Sequence, residues 1–221
     1  MPLYRPGAWF TGWYRQGAAV QSIEAVLFDW GGVLIDNPAA GLMDYCARSL
    51  GVSVQDYTRA HDKYGEPFQR GWISEDLFWR QVCGELGCAL PQTPSLWGRA
   101  FREVYSPRKE VFELAGELHA GGCRVALLSN TETPAMTFFL ELRYPMFDAP
   151  VFSCEEGACK PEKEIYQIAA YKLGVPASRC ILIDDKPAFV DGARKAGMQG
   201  IVYETLEQVK RDLTALGVQA Q

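Results

Sequence analysis

The sequence lacks several features that mark particular classes of protein. No apolar run reaches the roughly 18 residues of a membrane-spanning helix, and the N-terminal region has no continuous apolar segment typical of a signal peptide. Basic residues are outnumbered by acidic ones, which gives a formal net charge of −5, and they form no cluster. Because nucleic-acid phosphates are bound by clustered cations, we expect no nucleic-acid partner and no membrane partner.

The cysteines follow neither a disulfide pattern nor a zinc pattern. There are seven, and their spacing is irregular, whereas a disulfide framework needs cysteines in pairs. Cys154 and Cys159 have no histidine nearby that would complete a zinc site. We therefore predict free thiols, a reducing compartment and a cytoplasmic location.

Three short apolar runs, at 25–28, 124–128 and 180–183, are each followed directly by polar residues. Runs of this length and composition predict buried parallel strands. Helical patterns at 162–173 and 188–196 complete the pattern of an open α/β sheet. Ligands bind at the carboxyl ends of the strands in such sheets, and the polar residues fall there.

The first two predicted strands are separated by a stretch far longer than one crossover helix requires. Its pattern predicts helices without strands, at 41–50, 53–64 and 74–86, punctuated by Gly51, Gly65 and Gly71. We interpret residues 38–107 as a small α-helical cap. The α/β core then consists of 23–37 and 108–221, and residues 1–22 form an irregular N-terminal extension.

Four short motifs occur in an order similar to that of the haloacid dehalogenase-like hydrolase superfamily. They are Phe28-Asp29-Trp30-Gly31-Gly32-Val33, Leu128-Ser129-Asn130, Lys160-Pro161 and Ile183-Asp184-Asp185. Each motif is weak alone, but their shared order and the helical insert after the first make coincidence improbable. The resemblance implies a Rossmann-like open parallel sheet with a small α-helical cap.

The same resemblance implies a chemistry. It predicts a magnesium-dependent phosphatase that acts on a small phosphorylated metabolite through an aspartyl-phosphate intermediate on Asp29. The variant motif Asp-x-Gly-Gly is similar to that of a branch that includes sugar-phosphate phosphatases. For the assembly we expect a monomer or a homodimer.

The resemblance also implies the ligands of the metal. Asp29 is expected to be both nucleophile and Mg²⁺ ligand, with the backbone carbonyl of Gly31 as a second ligand. Asp185 is the expected direct carboxylate ligand, with Asp184 close behind it. This fits physical chemistry, because Mg²⁺ prefers oxygen ligands and offsets the charge of a carboxylate that approaches a phosphoryl group.

Substrate binding is expected to involve groups that donate to the phosphoryl oxygens. Ser129 offers a hydroxyl, Lys160 an ammonium group that also steadies Asp29, and Trp30 and Asn130 their backbone amides. In the predicted cap, Trp72 occupies a turn that resembles the one by which caps of this kind reach the active site. We predict that Trp72 contacts the substrate.

One position departs from the pattern of phosphatases in this superfamily. They usually carry a second Asp two residues after the nucleophile as general acid and base, and this chain has Gly31 there. Such catalysis contributes about 10² to 10⁴ in rate. In one interpretation another group, such as Asp36, a water chain or the substrate itself, handles the proton.

Two alternatives remain open at this stage. The 2-haloacid dehalogenases also lack the second Asp, but they usually carry Tyr and Thr where this chain has Gly31 and Val33, and the Asp184-Asp185 pair favours a metal. In the other alternative the chain is a binding or regulatory protein that retains the fold with weak turnover or none. Against it, Asp29, Ser129 and the other motif residues are all present.

Overall fold

The computed structural model describes residues 22–219 of the chain. The predicted N-terminal extension, apart from residue 22, therefore lies outside the described residues. The described part contains five strands and ten α-helices. In chain order these elements are β1 Ala25–Phe28, α1 Ala39–Leu50, α2 Val54–Gln69, α3 Glu75–Leu86, α4 Leu96–Val104, α5 Lys109–Ala120, β2 Arg124–Ser129, α6 Thr133–Leu142, β3 Val151–Phe152, α7 Ser153–Glu156, α8 Lys163–Leu173, β4 Cys180–Asp184, α9 Pro187–Lys195, β5 Gln199–Val202 and α10 Leu206–Ala215.

The strands form one parallel sheet in the order β3-β2-β1-β4-β5. β1 lies at the centre, paired with β2 on one side and with β4 on the other. Its four residues are completely buried, which explains why the strand is apolar throughout rather than alternating. The prediction of an open, parallel, Rossmann-like α/β sheet is confirmed.

Side chains of β1 divide the core into two layers. Val26 and Phe28 belong to the cluster that also contains the apolar residues of the first four helices. Ala25 and Leu27 face the opposite layer, which includes α8 residues such as Ile165. Because successive side chains of a strand point to opposite faces, β1 packs against one apolar layer on each face of the sheet.

The stretch between β1 and β2 contains α1 to α5 and no strand. One predicted boundary in it is wrong, because α2 does not end before Gly65 but continues to Gln69, with Pro67 inside its last turn. A Cβ at Gly65 would lie 2.9 Å from the imidazole of His61, so this glycine leaves room for a side chain on the preceding turn. Gly65 is therefore a packing glycine and not a helix terminator.

Two negative predictions can be compared with the described residues. All seven cysteines lie among them, all are free, and four are buried, so the prediction of free thiols is confirmed. Between residues 22 and 219, no helix is both long and apolar enough to cross a membrane.

Candidate active site

The polar residues that follow β1, β2 and β4 meet at one edge of the sheet. Asp29 follows β1, Ser129 ends β2, and Asp184 ends β4. All three are buried, with exposed fractions of 5%, 4% and 0%. β1 pairs with both β2 and β4, so its carboxyl end opens between two neighbouring strands, where open α/β sheets bind their ligands.

Lys160, in the segment between α7 and α8, joins these strand ends. Its Nζ lies 2.7 Å from Asp29 Oδ1, and it donates to Asp184 Oδ2 at 2.6 Å and to the carbonyl of Leu128 at 2.9 Å. These contacts use all three donors of the ammonium group. Burial lowers the pKa of Lys160, but the two carboxylates outweigh it, so the net shift is upward. Lys160 therefore stays charged.

Asn130 fixes the backbone of Lys160 rather than pointing at a ligand. Its amide nitrogen donates to the Lys160 carbonyl at 3.0 Å, and its Oδ1 accepts from the Lys160 backbone N–H at 2.8 Å. These two hydrogen bonds connect the motif Leu128-Ser129-Asn130 to the motif Lys160-Pro161. Asn130 directly follows β2 and lines the cavity described below. The role of its backbone amide in substrate binding stays a prediction.

Three carboxylates converge beside Lys160. Oxygens of Asp29, Asp184 and Asp185 lie within 4.8 Å of one another. Burial raises the pKa of Asp29 to about 6 despite the attraction of Lys160. Burial, followed by the charge of Asp184, also raises the pKa of Asp185. Like charges held this close in a buried site disfavour ionisation unless a cation is present.

The acidic cluster fits a hard cation such as Mg²⁺. Oδ1 of Asp185 is buried and has no hydrogen-bond partner within residues 22–219. Both oxygens of Asp184, in contrast, accept hydrogen bonds, from Lys160 and from the backbone N–H of Lys186 at 2.9 Å. Asp185 thus has a carboxylate oxygen free to accept from a ligand, whereas Asp184 holds Lys160. That Asp185 is the direct metal ligand stays a prediction.

Two glycines after Asp29 allow the chain to pass close to this cluster. Gly32 has φ +93°, and a Cβ there would lie only 2.3 Å from Oδ2 of Asp185. At Gly31 a Cβ would lie 3.0 Å from Cδ of Pro38, the residue that precedes α1. A side chain at Gly31 therefore requires the Pro38 ring to shift, which gives a packing reason for the missing second Asp.

A cavity of about 170 Å³ opens over Asp29. Its floor includes Asp29, Ser129 and Lys160, together with Trp30 and Gly31. The walls are contributed by helices α1, α2 and α4 and by the residues after β2, among them Leu42, Met43, His61, Gln69, Trp97, Phe101, Thr131 and Glu132. The chain segment before β2 therefore supplies most of the apolar wall.

Glu132 is a wall residue that the sequence analysis missed. Its carboxylate accepts a hydrogen bond from Trp97 Nε1 at 3.0 Å and one from Gln69 Nε2 at 3.3 Å. Only 5% of the residue is exposed, and burial raises the pKa of the carboxyl group to about 7. In the sequence, only its position just after the Ser-Asn motif indicates that Glu132 could lie near the site. An acid at the start of a helix is also common because it interacts favourably with the helix dipole.

Besides Asp184 and Asp185 of the acidic cluster, two residues singled out from the sequence do not line the cavity. Trp72 is 64% exposed; it stacks on the Arg70 guanidinium and lines a separate open groove. Trp72 does not line the cavity over Asp29, and its contact with the substrate stays a prediction. Asp36 pairs with Arg108 at 3.0 Å, accepts a hydrogen bond from Ser106 and does not line the cavity.

Trp30 contributes to the site through its backbone. Its indole ring is 1% exposed and packs between Phe101 of α4 and Phe139 of α6, with ring centroids 4.7 Å and 5.3 Å away. The side chain is therefore a core residue that connects the helical segment to the sheet layer. Its Nε1 is buried and has no hydrogen-bond partner among residues 22–219.

A family model agrees with this site. Residues 23–197 match the model described as haloacid dehalogenase-like hydrolase. The matched range includes all four motifs and the helices between β1 and β2. It covers most of the chain, including every residue that forms the acidic cluster.

Three known proteins illustrate the similarity. Mouse acyl-CoA dehydrogenase family member 10 is 27% identical over 92% of this chain, which spans 20% of that protein's length. Phosphatase MT3486 of Mycobacterium tuberculosis is 27% identical over 89% of this chain and 96% of its own. The Bacteroides thetaiotaomicron HAD family enzyme BT-2542, solved with magnesium and inorganic phosphate, superposes with a TM-score of 0.69 at 18% identity, over 85% of this chain and 99% of that one.

Proposed function

Because the chain belongs to the haloacid dehalogenase-like hydrolase family, we propose that it is a magnesium-dependent phosphatase acting on a small phosphorylated metabolite. The observation that carries the proposal is the cluster of Asp29, Asp184 and Asp185 beside Lys160, next to a small cavity that Asp29 and Lys160 line. The full-length similarity to a mycobacterial phosphatase supports the same reaction class.

Asp29 is the nucleophile in this proposal, and it forms an aspartyl-phosphate intermediate. Lys160 binds its Oδ1, so we assign the attack to Oδ2. The attack breaks the bond between phosphorus and the leaving-group oxygen, and water then releases inorganic phosphate and regenerates the carboxylate. Lys160 holds the attacking carboxylate in one orientation throughout, which reduces the entropic cost of the reaction.

The metal would be held by Asp29, Asp185 and the backbone carbonyl of Gly31, with Asp184 adjacent. Bound Mg²⁺ offsets the negative charge that the carboxylate and the phosphoryl oxygens bring together. Gly32 leaves the space that the Asp185 carboxylate occupies. Asp184 keeps Lys160 beside Asp29, so we assign it a positioning role.

The phosphoryl oxygens need donors that are already in place before the reaction. We assign these to the Ser129 hydroxyl and to the backbone amides of Trp30 and Asn130, all of which belong to residues lining the cavity floor. Lys160 acts through its charge, because its three donors are already engaged. Ser129, Asp29 and Lys160 are then the residues that act on the phosphoryl group.

Gly31 has no side chain that could act as a general acid and protonate the leaving group. Substrates whose leaving groups are stable anions, such as acyl phosphates, suffer least from this loss, and esters of simple alcohols suffer most. We therefore expect activated phosphates to be hydrolysed faster than simple esters. The close approach of Pro38 to Gly31 means that an Asp introduced there needs a compensating change at Pro38.

Residues 38–107 are proposed to act as a cap that selects the substrate, on a catalytic core of 23–37 and 108–221. In support, Leu42 of α1, His61 of α2 and Phe101 of α4 line the cavity above Asp29. The substrate would then be enclosed between these helices and the strand ends, so the leaving group contacts residues outside the four motifs.

The test is release of phosphate from acetyl phosphate by the purified protein, with Mg²⁺ and with EDTA. We expect turnover that requires Mg²⁺ and is abolished by EDTA, because the clustered carboxylates need a cation. Halide release from a 2-haloacid in EDTA would instead establish dehalogenase chemistry. Absence of both activities in folded protein would favour the binding or regulatory alternative.

A further inference from the structure

The cavity wall opposite the motif residues carries a buried acid that the phosphoryl chemistry does not use. Glu132 is the residue immediately before α6 and is almost completely buried, yet it lines the cavity. Burying a carboxylate is costly unless its oxygens are hydrogen-bonded. Trp97 and Gln69 supply one hydrogen bond to each oxygen, at 3.0 and 3.3 Å.

These two hydrogen bonds leave acceptor capacity on Glu132. A carboxylate has about four lone-pair sites, and Trp97 and Gln69 occupy two of them. The two donors lie on α4 and α2, and together they fix the orientation of the Glu132 carboxylate. A ligand in the cavity thus meets a preorganised acceptor whose orientation is already fixed.

His61 is a second polar residue that lines the same cavity. Its imidazole stacks on Trp97 at 5.4 Å between ring centroids, nearly parallel at 7°. Nε2 is buried without a hydrogen-bond partner inside the described range of 22–219. Burial lowers the pKa of His61, so the ring is neutral at physiological pH. An unpaired buried nitrogen of this kind is satisfied when a ligand group reaches it.

Gly65 shows that the fold makes room for this imidazole. A glycine inside a helix costs about 1 kcal/mol relative to alanine. At Gly65 an alanine methyl would lie 2.9 Å from the His61 ring. Glycine at this position therefore destabilises the helix slightly but leaves the space that the His61 ring occupies. The ring in turn covers Trp97, which holds Glu132.

We propose that Glu132 and His61 form a second subsite that binds a hydroxyl group of the leaving group. The substrate class that fits is an uncharged, hydroxylated phosphate monoester. A leaving group with its own carboxylate or second phosphate would bring a negative charge against Glu132 in a buried site, which is unfavourable. This inference rests on the proposed phosphatase function and specifies which substrates that site accepts.

Three esters with three-carbon leaving groups test the subsite: propyl phosphate, glycerol 3-phosphate and 3-phosphoglycerate. They differ in the hydroxyl and carboxylate groups of the leaving group. We expect kcat/KM for glycerol 3-phosphate to exceed that for each of the other two by about tenfold or more, as expected for a hydrogen bond to a charged group. No preference for glycerol 3-phosphate would overturn the inference.

Variants separate a binding role from a structural one. Glu132→Gln keeps the volume and loses the charge, and His61→Phe keeps the stacking on Trp97 and loses Nε2. Each should reduce the preference for glycerol 3-phosphate over propyl phosphate by about tenfold. Glu113→Gln, the same change at an exposed position of α5, should leave the preference unaltered. Equal losses on both esters would show that Glu132 and His61 only support the fold.

Acetyl phosphate distinguishes failure of this inference from failure of the proposed function. If the wild-type protein releases no phosphate from acetyl phosphate or from any of the three esters, the phosphatase proposal fails and the subsite fails with it. If acetyl phosphate is hydrolysed with Mg²⁺ and glycerol 3-phosphate is not preferred, only the subsite is wrong.

Discussion

A buried carboxyl group in a cavity wall makes the stability of a protein depend on pH, and Glu132 is such a group. Burial raises its pKa from 4.5 to about 7 in the folded state. The folded protein therefore binds this proton more tightly than the unfolded chain. Its contribution to stability is fully present below about pH 4.5 and is lost as the pH rises to about 7.

Glu132→Gln removes this dependence because glutamine does not titrate. Relative to wild type, the free energy of unfolding of the variant should rise by up to about 3 kcal/mol between pH 5 and pH 8. Urea unfolding at the two pH values in EDTA measures it, with Glu113→Gln as the exposed control. A difference between variant and wild type that is the same at both pH values would contradict the account.

The glycine beside the acidic cluster gives a second prediction at the scale of single residues. Gly32→Ala would place a methyl group 2.3 Å from Oδ2 of Asp185, whereas Gly122 has a similar φ of +90° and nothing within 4 Å of an added Cβ. Both substitutions strain the backbone by about 1 to 3 kcal/mol. Only the first displaces a proposed metal ligand.

The Mg²⁺ concentration that gives half-maximal activity should therefore rise about tenfold or more in Gly32→Ala, as is usual when the support of a ligand is removed. In Gly122→Ala it should stay at the wild-type value, while the melting temperature falls in both. An equal Mg²⁺ requirement in the two variants would show that Asp185 does not bind the metal.

The residue that sequence reasoning missed, Glu132, shows a limit of motif reasoning. An acid at the start of a helix is common because it interacts favourably with the helix dipole. Nothing local distinguishes Glu132 from such a residue. Only the fold brings Trp97 of α4 and Gln69 of α2 onto its carboxylate. Asp29, Ser129 and Asp184, in contrast, follow apolar strands, and that position alone predicts that they meet.

At the scale of elements, Arg70 links α2 to the segment that carries Lys160. Its guanidinium makes a two-point contact with Glu162, at 2.9 and 2.5 Å, and a further ion pair with Glu66 at 2.9 Å. Glu162 also accepts the backbone N–H of Cys159 at 3.0 Å. The Arg70 guanidinium holds the pKa of Glu162 at about 2, so the pair is ionised across the physiological range.

Arg70→Met should loosen this connection, because methionine keeps much of the apolar stem and none of the donors. We expect faster amide hydrogen exchange in 54–69 and 157–162 and a KM raised more than kcat is lowered. Arg80→Met, which removes an exposed pair with Asp76 in α3, is the matched control and should change neither. Unchanged exchange at 157–162 in Arg70→Met would show that the contact does not couple the two segments.

The elements that could be predicted from sequence are those with a strong local pattern. The strands ending at Phe28, Ser129 and Asp184 are apolar runs with polar ends, and all three exist. β3 has only two residues and β5 contains Gly200, so neither has a detectable pattern. The sequence predicts that α2 ends before Gly65, because glycine often terminates helices. In the structure α2 continues, and the His61 imidazole fills the space beside Gly65.

At the scale of the whole molecule, the order of the strands explains why distant motifs form one site. β1 occurs first in the chain and lies at the centre of the sheet, with β2 and β4 on either side. The nucleophile proposed at its end therefore lies between Ser129 and the Asp184-Asp185 pair. The helices inserted after β1 line the cavity at this edge. In the proposed reaction, the sheet supplies the reacting groups and the insert supplies most of the wall around the leaving group.

The identity of the nucleophile is the central claim, and Asp29→Asn tests it most directly. Asparagine keeps the volume of the side chain and removes the attacking oxygen, and Asp191→Asn, the same change at an exposed residue of α9, serves as the control. Initial rates of phosphate release from acetyl phosphate are measured with Mg²⁺ alongside circular dichroism. We predict a folded Asp29→Asn protein whose rate falls by about 10³-fold or more, and an Asp191→Asn protein close to wild type. A folded Asp29→Asn protein that turns over at nearly the wild-type rate would contradict the assignment of Asp29 as the nucleophile.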